Sequence, residues 1–286
     1  MDGLLDEPVW SQAAKLAGFH QYQPVDGRPA EERTEVLVWY GPTSIHFGIV
    51  AHDRSPGTIR ATVADRDRIG SDDKVVLYLD TFNDRRRAFV FGVNPLGIQE
   101  DGVLSEGSGS GAGNLFGAGL DRSPDFIWQS RGQVTDSGYV VEIRIPFKSL
   151  RYAGAGPQVW GFNVQRTTRR TGYEDTWADV RRANASFLSQ SGRLEGLHDL
   201  RSGITAEVQP YVSGIVEGGR TEEGDFSRSA FEPDAGVNLR LSRTNLALDA
   251  TLNPDFSQVL PDFGLVTVNE RFALFIPERR EFFLEG

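Results

Sequence analysis

The chain contains no cysteine. That excludes a disulfide scaffold, a thiol nucleophile and a thiolate-ligated zinc or iron–sulfur centre. Histidine is nearly as scarce. His20, His46, His52 and His198 are the only four, too scattered in the sequence to read as a metal cluster. Basic charge is the minority sign, with 30 Lys and Arg against 40 Asp and Glu and a formal net charge of −10. An acidic chain without a basic run cannot neutralise many phosphates, so nucleic acid is not an expected partner. Long apolar runs are missing as well, since no stretch approaches the ~20 residues that a membrane-crossing helix needs. The opening Met1-Asp2-Gly3-Leu4-Leu5-Asp6-Glu7-Pro8 has neither the basic region nor the apolar segment of a signal peptide. The expectation is a cytosolic protein or a secreted chain whose leader has been removed. Nucleophile-elbow, zinc-protease and phosphate-loop signatures are all missing.

What the sequence has in quantity is turn formers and aromatics: 32 Gly, 14 Pro, 18 Phe and 5 Trp in 286 residues. The length allows one large β domain or two smaller ones. Glu35-Val36-Leu37-Val38-Trp39-Tyr40 and Ser44-Ile45-His46-Phe47-Gly48-Ile49-Val50-Ala51 alternate around Gly41-Pro42-Thr43, which predicts a hairpin. Lys74-Val75-Val76-Leu77-Tyr78-Leu79-Asp80 is a nearly continuous apolar run, the mark of a strand buried on both faces. Further strands are predicted at Arg87–Asn94, Phe126–Arg131, Tyr139–Ile145 and Trp160–Arg166. Many short strands between turn signals predict an all-β sandwich. Helix is confined to short turns at Ser11–Leu16 and Pro146–Leu150. Ser105–Gly113 is a Gly/Ser loop.

The texture changes near Gly203. Asp234–Leu241 alternates strictly, with Ala235, Val237, Leu239 and Leu241 on one face and Asp234, Gly236, Asn238 and Arg240 on the other. Ile204–Gln209 and Asn245–Leu252 alternate in the same way. Residues 204–286 hold 14 acids and 7 bases. A soluble antiparallel sheet with one wet face and a transmembrane β-barrel share this pattern, so alternation leaves both open.

Three kinds of site chemistry are conceivable. Glu142, Glu174, Asp175 and Asp179 could supply the paired carboxylates of a glycoside hydrolase, although among 40 acids some pairing is expected by chance. Asp65, Asp67, Asp72 and Asp73 before a strand, or Asp80, Asn83 and Asp84 after it, are oxygen ligands that would suit a structural calcium. Asp72, Asp73 and Asp80 are the metal-site candidates; Arg66, Arg68, Arg85 and Arg86 more simply neutralise such acids. No other cofactor is implied. The third possibility is aromatic recognition of a sugar. Trp39 and Trp160 read as core, whereas Trp177 falls in the polar segment Gly172–Trp177 close to Asn163, Arg166 and Glu174. These four are the candidate ligand-binding residues, and no catalytic residue is assigned.

Asp2–Trp10, Asp72–Asp80, Gly138–Phe147 and Trp160–Arg166, taken in order, resemble a family 9 carbohydrate-binding module over residues 1–200. The resemblance implies a jelly-roll-like β-sandwich. Where sugar-binding members carry a Trp and then an acid, this chain has Ile69 or Gly70 and Val76. Ala250–Val259 and Pro277–Gly286 are similar to a bacterial family in which such a module precedes an outer-membrane β-barrel. That similarity implies that residues 204–286 begin an incomplete barrel, that the chain is a fragment, and that the sandwich faces the periplasm from the outer membrane. The implied function is non-catalytic glycan binding in polysaccharide handling. Two alternatives stand beside it: a structural, plug-like adaptor of the barrel that binds no sugar, and a hydrolase of glycosidic bonds in carbohydrate catabolism.

Overall fold

A computed structural model describes residues 1–106, 120–154, 156–184, 186–203, 205–216, 218–220, 226–228, 231–243 and 246–253. The Gly/Ser stretch from residue 107 on, residues 254–259 and Pro277–Gly286 lie outside the described residues. The chain divides into two compact units, Met1–Gly203 and Ile204–Gly286.

Among the described residues the regular elements are strands and short 3-10 turns. In the first unit the strands are β1 (Ala14–Leu16), β2 (His20–Gln23), β3 (Thr34–Tyr40), β4 (Ser44–His52), β5 (Lys74–Asp80), β6 (Arg87–Val93), β7 (Gln99–Ser105), β8 (Leu120–Asp121), β9 (Gln129–Thr135), β10 (Gly138–Pro146), β11 (Gln158–Thr168), β12 (Tyr173–Thr176) and β13 (Gly192–Leu197). They form an antiparallel five-stranded sheet, β1-β3-β4-β10-β9, and an eight-stranded sheet, β2-β12-β11-β5-β6-β7-β8, with β13 also paired to β11. The all-β sandwich expected from the strand spacing is the fold of this unit.

Alternation explains why the two sheets pack. Val36, Phe47, Ile49, Val141 and Ile143 of the smaller sheet meet Val75, Leu77, Phe91, Phe162 and Val164 of the larger one in a single buried cluster. Phe47 and Phe162 stack across it with centroids 5.5 Å apart. The larger sheet also buries its outer face. Val76, Tyr78, Ala88, Val90 and Leu104 pack there under Val180, Phe187 and Leu188. All seven residues of β5 are therefore buried, as the continuous apolar run predicts.

Two local readings change. The strand predicted from Phe126 begins at Gln129, because the buried carboxylate of Asp101 gathers the residues before it. It accepts from Phe126 N at 3.0 Å and from Trp128 Nε1 at 2.9 Å, and the Trp128 ring turns in against Phe91. Tyr173–Thr176, read as a polar segment beside a strand, is itself strand β12 in register with β11. Its polar residues face polar partners, so it lacks the apolar signature of its neighbours.

The second unit contains β14 (Thr205–Ile215), β15 (Gly218–Arg220), β16 (Phe226–Arg228), β17 (Glu232–Arg243) and β18 (Leu246–Leu252). β14-β17-β18 form one antiparallel sheet, and β15 pairs with β16. On one face Val208, Val212, Leu248 and Leu252 are 61%, 82%, 59% and 71% exposed. On the other, Asn238 bonds Gln209 at 3.2 Å and Thr251 at 3.0 Å, and Arg240 pairs with Asp249 at 2.7 Å.

Candidate functional site

The four residues singled out around Trp177 do not share one surface. Successive side chains of β11 point to opposite faces of the sheet. Arg166 therefore points between the sheets, where it is 1% exposed. Its guanidinium donates to Thr34 Oγ1 at 3.0 Å and His52 O at 2.7 Å, and lies 5.6 Å from the Tyr139 ring centroid. Asn163 points outward but is fully buried. Its Oδ1 accepts from Val164 N and Ala178 N, both at 2.9 Å. Glu174 lies on that outer face and accepts from Gln165 Nε2 at 2.8 Å, while Gln165 Oε1 accepts from Tyr78 O–H at 2.6 Å. Burial raises the pKa of the Glu174 carboxyl, opposed by the charges of Arg169 and Lys74. Trp177 is half-buried, its ring 5.8 Å from that of Phe162. Its indole also lies on Gly192, where a Cβ would collide with the ring. Of the residues standing where the resembled family would carry a Trp and an acid, Ile69 and Val76 are fully buried and Gly70 is exposed.

The carboxylates weighed for hydrolysis are also separated by the pleat. Glu174 and Asp175 are neighbours in β12 and point to opposite faces, while Glu142 belongs to the other sheet. Glu142 is buried and accepts from the N–H groups of Asp2 and Gly3 at 2.9 and 2.8 Å.

The acids proposed for calcium hold turns. Asp72 accepts from Thr62 N at 3.0 Å and Asn94 Nδ2 at 2.8 Å. Asp73 accepts from Arg60 N at 2.6 Å and Arg169 N at 3.0 Å, and Asp80 from Arg85 N at 2.7 Å. Two other sets of carboxylates converge among the described residues: Asp2, Asp6 and Glu7 in the N-terminal segment, and a second set around Arg66. Asp67, Asp101 and Asp125 bring oxygens within 4.8 Å of one another, with Arg66 paired to both Asp101 and Asp125. Beside them a cavity of about 480 Å³ is lined by Arg66, Ile98, Gln99, Trp128, Ser130 and Arg131, among others. The Trp128 ring itself is only 5% exposed and is already engaged with Phe91 and Asp101, so it presents little face to a ligand.

The outer face of the five-stranded sheet carries a different constellation. The registers set Trp39 opposite His46, His46 opposite Arg144, and Arg144 opposite Gln129. One row thus crosses β3, β4, β10 and β9. Trp39, His46 and Arg144 are half-buried and Gln129 is exposed. The indole meets the imidazole edge to face at 5.2 Å, and Arg144 Nη1 donates to Gln129 Oε1 at 3.2 Å. Burial and the nearby Arg144 charge lower the His46 pKa to about 4, so the ring is neutral at physiological pH. In the adjoining row of the same face Gly48 and Glu142 are covered by the N-terminal segment, while Arg131 at its β9 end is exposed. Leu5 and Trp10 of the N-terminal segment sit on Gly48, the one residue there small enough to admit them. Trp39, read above as core, is thus the correction, and Trp160 is core as expected. Alternation held the signal: Glu35, Leu37 and Trp39 oppose the buried Val36 and Val38.

No protein-family model matches the chain, and no curated protein matches it. Solved structures do align with it. A carbohydrate binding module family 9 from Caldicellulosiruptor kristjanssonii, in complex with cellotriose, is 14% identical and has a TM-score of 0.46, covering 71% of this chain and 90% of that one. The module in complex with glucose aligns at 13% identity and a TM-score of 0.46, covering 71% and 91%. A protein from Bacteroides uniformis aligns at 11% identity and a TM-score of 0.46, covering 65% and 87%.

Proposed function

We propose that the sandwich recognises carbohydrate without cleaving it, as the periplasm-facing part of an outer-membrane protein whose barrel begins with β14, β17 and β18. The observation that carries the recognition is the row Trp39–His46–Arg144–Gln129. A saccharide offers apolar C–H faces and a rim of hydroxyls. An indole on a sheet face stacks on the first, while imidazole, guanidinium and carboxamide groups bond the second. The barrel reading rests on the sequence similarity of residues 250–259 and 277–286, and is supported by the exposed apolar face of β14-β17-β18 opposite a hydrogen-bonded polar face.

Binding of the 286-residue chain, kept in a non-ionic detergent, to an array of neutral and acidic glycans tests the reading. A wild-type signal that Trp39→Ala removes supports it, and an array without signal sinks it. A second reading, a brace that binds no sugar, is favoured by the seat of Trp177 against Phe162 and Gly192. Under the brace Trp177→Ala lowers the melting temperature and there is no ligand to lose. Under the recognition reading it leaves array binding in place.

A further inference from the structure

The charge on the Trp39 row says which saccharides it takes. Arg144 is half-buried, and its one side-chain partner among the described residues is the neutral Gln129. Of the other half-buried or buried guanidiniums, Arg66 pairs with Asp101 and Arg240 with Asp249, while Arg169 and Arg182 donate to the backbone carbonyls of Asp72 and Pro24. The acid that would neutralise Arg144 from its own strand is Glu142, two residues away on the same face. It is instead turned to the N–H groups of Asp2 and Gly3 and is 1% exposed. Glu7, whose charge reaches His46, is held by Trp10 Nε1 at 2.8 Å and by the terminal ammonium at 3.4 Å. One row further along, Arg131 is exposed, lies opposite Glu142 in register, and donates to its own neighbour, Ser130 O, at 3.1 Å. No ion pair joins it to an acid among the described residues.

Two guanidiniums without carboxylate partners thus flank Gln129 on the outer face, in a chain whose formal net charge is −10. Guanidinium matches a carboxylate in planar, two-pronged geometry and binds it more strongly than it binds a hydroxyl. We infer that the Trp39 row, with Arg144 and Arg131 beside it, binds a saccharide bearing carboxylates, a uronate-containing chain whose sugar ring stacks on Trp39 and whose carboxylate meets Arg144. The inference rests on the recognition reading above and narrows its ligand class.

Calorimetric titration of the detergent-held full chain with trigalacturonate, triguluronate, cellotriose and maltotriose tests it. At least one uronate trimer should bind ten-fold or more tightly than either neutral trimer, and should weaken as salt is raised. Arg144→Gln should remove that preference, Arg144→Lys should restore part of it, and Trp39→Ala should abolish binding. Each variant should keep the wild-type melting temperature to within a few degrees, which sets a binding loss apart from misfolding. If a neutral trimer binds through Trp39 as well as the uronates do and Arg144→Gln changes nothing, the acidic ligand class is overturned while recognition stands. If none of the four binds the wild type, the acidic ligand class is overturned, and recognition falls as well only if the glycan array is also without signal.

Discussion

The larger sheet of the sandwich and the β14-β17-β18 sheet are built from the same kinds of strand and meet their surroundings differently. In the first, Val75, Leu77 and Leu79 face the opposing sheet while Val76 and Tyr78 lie under Phe187 and Leu188, so both sides are closed. In the second, Val208, Val212, Leu248 and Leu252 stand open. The polar faces differ in the same way. Lys74 and Glu100 form an ion pair with side chains 3% and 2% exposed, whereas Asp249, the partner of Arg240, is 33% exposed. Alternation therefore reports that a sheet has two chemically different faces, and is silent on what covers the apolar one. In the sandwich the cover is other strands of the same unit. For β14-β17-β18 a lipid surface would supply it.

The largest expected effect measures that contrast directly. Phe162→Ala removes a fully buried ring that stacks on Phe47, and should cost about 3–5 kcal/mol in urea unfolding. Val212→Ser with Leu252→Ser should change stability by only about ±0.5 kcal/mol each, but should reduce association with detergent micelles or lipid vesicles. If the serine variants destabilise the protein as Phe162→Ala does, that face is buried by protein and the contrast between the two regions disappears.

The two ion pairs sharpen the comparison at a somewhat smaller scale. Lys74→Met leaves Glu100 charged and enclosed, and should cost about 3 kcal/mol at neutral pH. Asp249→Asn removes a more accessible partner and should cost about 1 kcal/mol or less. Thermal melts of the two variants at low and high salt check both figures. Salt should barely alter the Lys74→Met loss and should shrink the Asp249→Asn loss further.

Much of the sandwich was legible because its strands obey local rules. The β3–β4 hairpin around Gly41-Pro42-Thr43 and the doubly buried β5 follow from pattern alone. The site was harder to read, for a reason that Asn163, Arg166, Glu174 and Trp177 illustrate. They are close in sequence, yet the pleat of β11 and β12 sends Arg166 inward and Glu174 outward, and Trp177 is drawn onto Gly192 of β13. In the Trp39 row, by contrast, strand neighbours in space come from positions as far apart as 39 and 144. Only the register of β3, β4, β10 and β9 brings them into line. Side-chain pairing across non-sequential strands is tertiary information, and composition near one tryptophan could not supply it. Asp175 was similarly opaque. In the sequence it is one more acid in a polar run, but the structure places it 2% exposed between the sheets.

That burial leads to an expected effect smaller than those of Phe162→Ala and Lys74→Met and opposite in sign. Loss of hydration raises the Asp175 carboxyl from its ordinary 3.8 to about 6, against the pull of Arg166 and with help from the charges of Glu31 and Glu32. The folded state therefore prefers the protonated acid. Below pH 3.8 the folded and unfolded chains both carry it protonated and Asp175 imposes no cost. Between 3.8 and 6 the unfolded chain gives up its proton first, so stability falls as pH rises. Above 6 the cost is complete. Asp175→Asn keeps the shape and removes the charge. It should stabilise the fold at pH 7.5 by about 1–2 kcal/mol, less than the full linkage value because a carboxamide reproduces the hydrogen bonding of the protonated carboxyl only in part. The gain should shrink steadily as pH is lowered from 6 and be gone below pH 3.8. Urea melts of the two proteins across that range decide the matter. A variant less stable than wild type at pH 7.5 would mean that the attraction between Arg166 and Asp175 outweighs the dehydration of the carboxylate. Asp175 would then be a partner holding Arg166 between the sheets, and its burial would no longer be a cost of the fold.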